Sequence, residues 1–490
     1  MSTTLKNIKI PYPTEGVIRS AQLYDTVAPE NSVQLAVNLH FDTIGAMTTR
    51  LGVSSYVAPV ASVPITSLGT LNVLNGGKWI FAQQGTTINA SNNGGAFFSV
   101  RLATTTNRAR FAQYLNVTYM VNGVDALQAS TGGAFSVIAG LVPANPMPAT
   151  SRFISAGFGG RLWLADPVAD VLYYSDIVQF VSPSSYTITY PVPTPTSGNF
   201  ISNLSPQNGQ SITGLFQVPR ALLVFKQNSI IRVYAWDNVD PFPAYNVGTF
   251  SQESIVQAKD GVYFHHSSGF YKFSLDGQPI EISRRVIDFV RAISRSNYEN
   301  VRAIYDGFDA VEWHVGSVTL ESVTYANCVM RYTISTQTWT VYDYGETNIT
   351  AMIRFDNGTV IRSICGTSDG ALGWMDNGYT DFSKAIRWEV IDRWRSYTEM
   401  WSKSKNISGI MVQSLNGGGS ILQYQHQKSA MNEWEYIDTL SEEYDSLFPN
   451  ASSDDFSIAR LRLTGNSTGT PVVLTGIELL SVQDKGFEQN

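Results

Sequence analysis

The sequence predicts an all-β fold, and three observations carry that expectation. Short runs of β-branched and aromatic residues recur from about residue 70, separated by turns of Gly, Asn, Asp and Ser. Helical periodicity surfaces once, at 285–294. After residue 379 the apolar runs lengthen, which marks a change of unit. A hairpin or three-stranded meander cannot bury both its faces, so repeated ones must stack on neighbours of their own kind. The expected architecture is a β-propeller of irregular blades with a C-terminal antiparallel sheet or small β-sandwich.

Residues 1–31, with Pro11, Pro13 and Pro29, read as an N-terminal arm. The stretch 32–39 alternates polar and apolar residues as a half-buried strand does, and opens a propeller expected over 32–382 with long inserted loops. Strand pairs follow in order: 78–82 with 97–100, 110–123 ending in the turn signal Asn122-Gly123, 161–166 with 171–176, and 221–225 with 230–236. The stretch 251–285 is the clearest unit. Val262-Tyr263-Phe264, Phe270-Tyr271-Lys272-Phe273 and Ile280-Glu281-Ile282 are joined by turns at 267–269 and 275–277. A further pair is 328–332 with 338–342. The uneven spacing, about 40 to 65 residues, fits propeller repeats lengthened by inserts such as the Pro/Ser/Thr-rich 182–215.

Val286, Ile287, Phe289, Val290 and Ile293 lie at helical spacing, with Arg284, Arg285, Arg291 and Arg295 as a basic edge. The C-terminal β-rich domain is expected over 383–482, from strands near 386–390, 407–413, 420–425, 434–437, 458–464 and 472–479. Glu442, Glu443, Asp445, Asp454 and Asp455 fall in the loop before its last hairpin, and 483–490 is a polar tail.

Composition narrows the function classes. Only 15% of the 490 residues are charged while 12% are aromatic, which fits a polar, uncharged β surface or one covered by partner subunits. The net charge of −7, with no run of Lys or Arg, argues against tight wrapping of nucleic acid. Cys328 and Cys365 lie in separate strand-like segments and read as buried thiols. No apolar leader opens the chain and no stretch of about 18 apolar residues occurs, so it is expected to be soluble, unexported and not inserted in a membrane.

No catalytic constellation emerges, so the chain is expected not to be an enzyme, with no catalytic, cofactor-binding or metal-binding residue to name. None of His40, His265, His266, His314 and His426 has a partner at metal-ligand spacing, and the His265-His266 pair reads as a surface turn feature. The stretch 367–374 resembles the Asp-box turn of sialidase propellers, but its Gly370 and Trp374 are misplaced for that box. Two alternatives remain open. One is a carbohydrate-binding propeller using Trp388, Trp394, Trp401 or Trp434 as sugar platforms, against the reading that these tryptophans pack a core. The other is a glycoside hydrolase, which needs two carboxyls facing across a cleft.

The pattern Arg161-Leu162-Trp163-Leu164-Ala165 followed by Val171-Leu172-Tyr173-Tyr174-Ser175-Asp176 resembles a blade of the propeller tail proteins of short-tailed phages, called tail hub, nozzle or packaged-DNA stabilization proteins. So do Ser251-Gln252-Glu253-Ser254-Ile255-Val256 leading into Gly261-Val262-Tyr263-Phe264, and the C-terminal Ala459-Arg460-Leu461-Arg462-Leu463 with Pro471-Val472-Val473-Leu474. The resemblance implies a virion protein assembled in a bacterial cytoplasm. It implies a hexameric ring below the portal and adaptor, which extends the DNA channel, retains the packaged genome and lets it out on infection. The implied partners are copies of itself, the portal–adaptor, tail fibre or needle proteins, and double-stranded DNA passing through the lumen without sequence-specific binding.

Overall fold

The computed structural model describes the chain apart from residues 1–5, 20–28, 42–44, 58–60, 75, 138–148, 169, 176, 183–184, 188–199, 202–203, 205–208, 236, 241–245, 275–276, 396–403, 408, 427–432, 441–444, 450–457 and 486–490. Four-stranded antiparallel sheets follow one another along it. Blade 1 is Ile65–Asn72, Lys78–Gln84, Thr87–Asn92 and Phe98–Leu102. Blade 2 runs from Arg110–Tyr114 out to Ser136–Val137, and blade 3 from Phe153–Ala156 out to Phe200–Ile201. Blade 4 runs from Ile212–Val218 to Asn238–Asp240, and blade 5 from Val256–Ala258 to Ile280–Glu281. Blade 6 runs from Arg302–Tyr305 to Thr338–Asp343. Blade 7 is Ile349–Asp356, Ile361–Thr367, Leu372–Trp374 and, from the other end of the propeller, Ser54–Val57.

The first strand of blade 1 packs on that of blade 2, the series continues round, and the first strand of blade 7 returns to that of blade 1. The protein is a β-propeller of seven blades among the described residues. Each middle strand is covered on both faces, so alternation gives way to continuous burial. In Ala221–Lys226 every residue is buried, including Lys226, whose Nζ reaches Asp170 at 2.7 Å. Trp163, Leu172, Leu215, Leu222, Val224 and Ile231 fill the space between blades 3 and 4, while Ile65, Ile80, Ala351, Phe355 and Ile364 join blade 7 to blade 1. The ring is latched where Ser54–Val57 pairs with Leu372–Trp374. Gly373 permits that approach: a Cβ there would lie 2.4 Å from Val53 and 2.5 Å from Phe382.

The outer strand of blade 6 also joins Val33–Val37 in parallel, at Val37 opposite Val341. From there one sheet continues through Lys384–Asp392, Ala459–Ser467 and Ile421–His426 to Glu435–Thr439. A second sheet holds Leu39–Phe41, Met47–Thr49, Val473–Lys485, Gly409–Leu415 and Asp445–Pro449, with Lys6–Lys9 added on Val473–Lys485. The two sheets share a core that runs on into blades 5 and 6. The opening strands at 33–49, placed with the propeller by their alternation, therefore pair in the second unit. Alternation reports a half-buried strand but carries nothing about which distant strand it joins.

The expected helix is present as Ile287–Ala292 after a short 3-10 turn, with Phe289 and Val290 buried. Both cysteines are free and buried. His265 and His266, expected on a surface turn, are instead buried within Gly261–His266. His265 packs on Phe270 and Tyr298, and His266 on Phe250 and Tyr271. The turn follows them, while the strand is enclosed by both neighbouring blades.

Candidate functional site at the mouth of the channel

Every blade runs from the ring's centre outward, so each first strand starts at the same mouth of the central channel. The residues just before or at these starts converge there whatever their distance in sequence. Arg108 and Arg110 enter blade 2, Arg152 enters blade 3, and Arg302 enters blade 6. Blade 5 is entered through a 3-10 turn, Gln252–Ser254, which lies across the mouth. Gln252 donates from Nε2 to the Ile154 carbonyl at 3.3 Å and accepts from the Leu215 amide at 3.2 Å, spanning blades 3 and 4. The Ser254 carbonyl accepts from Trp313 Nε1 at 3.2 Å.

Glu253 reaches back across the ring. Arg110 Nε lies 2.9 Å from its Oε1, and Arg108 NH1 3.5 Å from its Oε2. Arg108 also donates to Asn300 Oδ1 at 2.9 Å, and Arg302 to the Asn300 carbonyl at 2.9 Å. The Arg110 guanidinium lies over the Phe153 ring, 4.5 Å from its centroid. These cross-links tie the entries of blades 2, 5 and 6 together beside a cavity of about 370 Å³ lined by Arg108, Arg110, Arg152, Phe153, Phe250, Glu299 and Asn300 among others.

Around the mouth positive charge is in excess: Arg108, Arg110 and Arg152 line the cavity, Arg302 lies outside that lining within reach of Arg108 and Glu253, and Glu253 and Glu299 supply the carboxylates. Burial alone would raise the Glu253 pKa, but the charges of Arg110 and Arg108 overcome it and hold the carboxyl at about 2. Burial, then the like charge of Arg108, pushes Arg302 down to about 9, still protonated at neutral pH. Glu253 thus contributes stability that is present above its unfolded pKa, about 4.5, and lost as pH falls toward 2. In Glu253→Gln that acid-side loss is expected to shrink, read as a flatter dependence of the urea midpoint on pH between 4.5 and 2.5. An unchanged slope would show that the carboxylate is not held by these arginines.

A second ionic cluster lies where blades 6 and 7 meet the sandwich. Arg331 donates to Glu312 at 3.0 Å and to Asp306 at 3.1 Å, and the Tyr342 hydroxyl meets His40 Nδ1 at 2.7 Å. Burial, then the charge of Asp376, pushes Glu312 up to about 7. Glu312 is 3% exposed and capped by Arg331, so this is an internal ion pair with no face for a substrate.

Trp388 and Trp394 are buried, and Trp434 is covered by Arg460 and Arg462 at 4.9 and 5.4 Å from its ring centroid, so none offers a free stacking face. Trp401, Glu442, Glu443, Asp454 and Asp455 lie outside the described residues. The 367–374 stretch forms the tight turn into Leu372–Trp374, where Thr367 Oγ1 accepts from the Ala371 amide at 2.9 Å. No group of three or more His, Cys, Asp and Glu able to hold a metal ion occurs among the described residues. Among them, too, no helix is long and apolar enough to cross a membrane. Sequence reasoning missed the arginine mouth. The only signal was a basic residue recurring at or just before the first strand of several blades, legible only once the blades are aligned.

No family model matches the chain, and no curated protein matches it. Among solved structures it is similar to virginiamycin B lyase from Staphylococcus aureus, with 11% identity over 67% of this chain and 98% of that one, TM-score 0.42. It is similar also to YCF48 bound to D1 peptide, with 12% identity over 69% and 99%, TM-score 0.40. The extracellular domain of the putative one component system BT4673 from B. thetaiotaomicron covers 87% of this chain and 61% of its own, with 10% identity and TM-score 0.45.

Proposed function

We propose that the chain is a structural tail protein of a short-tailed bacteriophage. It would be a subunit of the ring that extends and closes the DNA channel below the portal and adaptor. The observation that carries this reading is the apolar surface on the face opposite the arginine mouth. There the turns between first and second strands, and the loop after the third strand of blade 3, expose Leu74, Leu115, Ile177, Phe308 and Val360, with Ile361 beside them. Leu74 and Phe308 are each 79% exposed. Exposed apolar side chains on that face of a protein with few charges fit a surface covered by other subunits. The sheet continuing from blade 6 into the sandwich makes the two units one stiff block, as a pressure-bearing ring needs.

Electron microscopy and native mass measurement of the purified chain, alone and with portal and adaptor, test the reading. A six-fold ring is expected, and Leu74→Asp with Phe308→Asp is expected to leave it single while still folded. A wild-type chain that stays single even with its template, or that binds sugars on a glycan array, would overturn the assignment.

A further inference from the structure

We propose that the cavity between the long hairpin of blade 6 and the sandwich binds a small zwitterion, with an ammonium and a carboxylate on one skeleton, as in a free amino acid or a dipeptide. This goes beyond the ring assignment and does not rest on it, because one chain holds the whole site.

Ala310–Leu320 and Val323–Thr333 form a hairpin longer than the other strands of its blade, with Val323, Thr324 and Tyr325 near its tip. These three line a cavity of about 620 Å³ together with Asp343, Arg387 and Glu389 among others. Backbone bonds bring the lining residues close to one another. The Asn38 amide nitrogen donates to the Asp343 carbonyl at 2.9 Å and to the Arg387 carbonyl at 2.6 Å, so one atom holds the two side by side. The Asp343 carboxylate accepts from the Asn327 amide at 3.0 Å, two residues along the strand from Tyr325.

Most charges around the cavity are already paired. Asp381 is held by Arg50, Glu389 by Arg462 at 2.6 Å, and Glu346 by Lys384 at 2.9 Å. Three lining groups keep unused capacity among the described residues. Asp343 takes the amides of Asn327 and Gly345 on Oδ1 and nothing on Oδ2. Arg387 is exposed, and only its carbonyl is used; its guanidinium has neither hydrogen bond nor ion pair. Tyr325 is 5% exposed and packs on Phe289, and its hydroxyl makes no hydrogen bond. Burial, then the charge of Glu389, raises the pKa of that hydroxyl, so it remains a donor. A nearly buried hydroxyl without an acceptor is the kind of group that a ligand satisfies.

One unpaired carboxylate beside one unpaired guanidinium calls for a ligand of both signs. A ligand carboxylate matches the forked donors of Arg387 and the Tyr325 hydroxyl, and an ammonium matches Asp343 Oδ2. A simple anion would meet Asp343, and a simple cation would meet Arg387, each as a like charge. The volume of about 620 Å³ admits an amino acid or a dipeptide.

Thermal shift of the full chain with each of the twenty L-amino acids and with L-alanyl-L-alanine, followed by titration calorimetry of the strongest, tests this. Saturable one-to-one binding is expected, at least tenfold weaker for the same compound amidated at its carboxylate or acetylated at its ammonium. Arg387→Ala, at an exposed and unpaired position, is expected to weaken binding about tenfold. Tyr325→Phe removes only the hydroxyl and is expected to weaken it about fivefold. Both variants are expected to keep the unliganded melting temperature, since neither group has a partner to lose. Asp343→Asn keeps an acceptor for the two amides, removes the charge, and is expected to weaken binding of the zwitterion about tenfold. No saturable binding of any probe, equal affinity for the amidated or acetylated form, or unchanged affinity in Arg387→Ala and Tyr325→Phe would each overturn the proposal. Because the readout is on the single chain, failure to form a ring leaves this test intact.

Discussion

Replacing Arg50 by methionine is expected to lower the unfolding free energy by about 3–5 kcal/mol, the scale for leaving a buried carboxylate without its partner. The Arg50 side chain is 0% exposed and that of Asp381 6%. Arg50 meets Asp381 with two donors, at 2.9 and 2.5 Å, and donates from Nε to Asn38 Oδ1 at 2.8 Å. Asn38 in turn donates to the carbonyls of Asp343 and Arg387, joining blade 6 to the sandwich. The guanidinium also stacks 3.9 Å from the Tyr344 ring centroid. Its loss therefore strands a charge and loosens the junction between the two units. Urea unfolding followed by tryptophan fluorescence measures the effect. Adding Asp381→Asn to Arg50→Met removes the stranded charge and is expected to restore part of the loss. A single variant within about 1 kcal/mol of wild type would show that solvent already reaches the pair.

Acid is expected to destabilise the protein steeply, by about 4 kcal/mol per pH unit near pH 5. Burial depresses His265 and His314 to about 3 and His266 to about 4, and all three side chains are nearly inaccessible. Their unfolded forms take a proton near 6.5. Below that pH the unfolded chain therefore holds more protons than the folded one, and stability is lost as pH falls toward the folded values. Glu312 opposes this. Raised to about 7, it favours the folded state below about 4.5, and that contribution is lost as pH rises through 7, so it cancels nearly one proton of the three near pH 5. The half-buried His40, also held near 3 by burial and by Arg331, acts in the same direction as the other histidines. Urea midpoints from pH 7 to 4.5 read the slope. His265→Phe, which keeps the contacts to Phe270 and Tyr298, is expected to flatten it by about one proton. A midpoint that barely moves between pH 7 and 5 would mean that these rings titrate as they do in water.

Local chemistry made much of the propeller legible. The turns at 267–269 and 122–123 and the continuous apolar run 221–225 each encode their own hairpin, because turn residues and strand propensity act over a few neighbours. The helix at 287–292 was legible from its apolar spacing for the same reason. The histidine pair was misplaced because a strand enclosed on both faces loses the alternation by which burial is read. The tryptophans of the C-terminal unit could be sorted into core and surface only when Arg460 and Arg462 were seen to cover Trp434.

By itself the sequence determined an all-β chain, the recurrence of short strand units, the single helix and the change of character after the last blade. All of these rest on contacts between residues close in the chain. Only the tertiary structure decided that Ser54–Val57 closes blade 7, that 33–49 joins the sandwich, and that arginines from blades 2 and 6 lie close to one glutamate from the approach to blade 5. Those facts depend on ring closure. It sets side by side residues hundreds of positions apart, and no local propensity records which of them will meet.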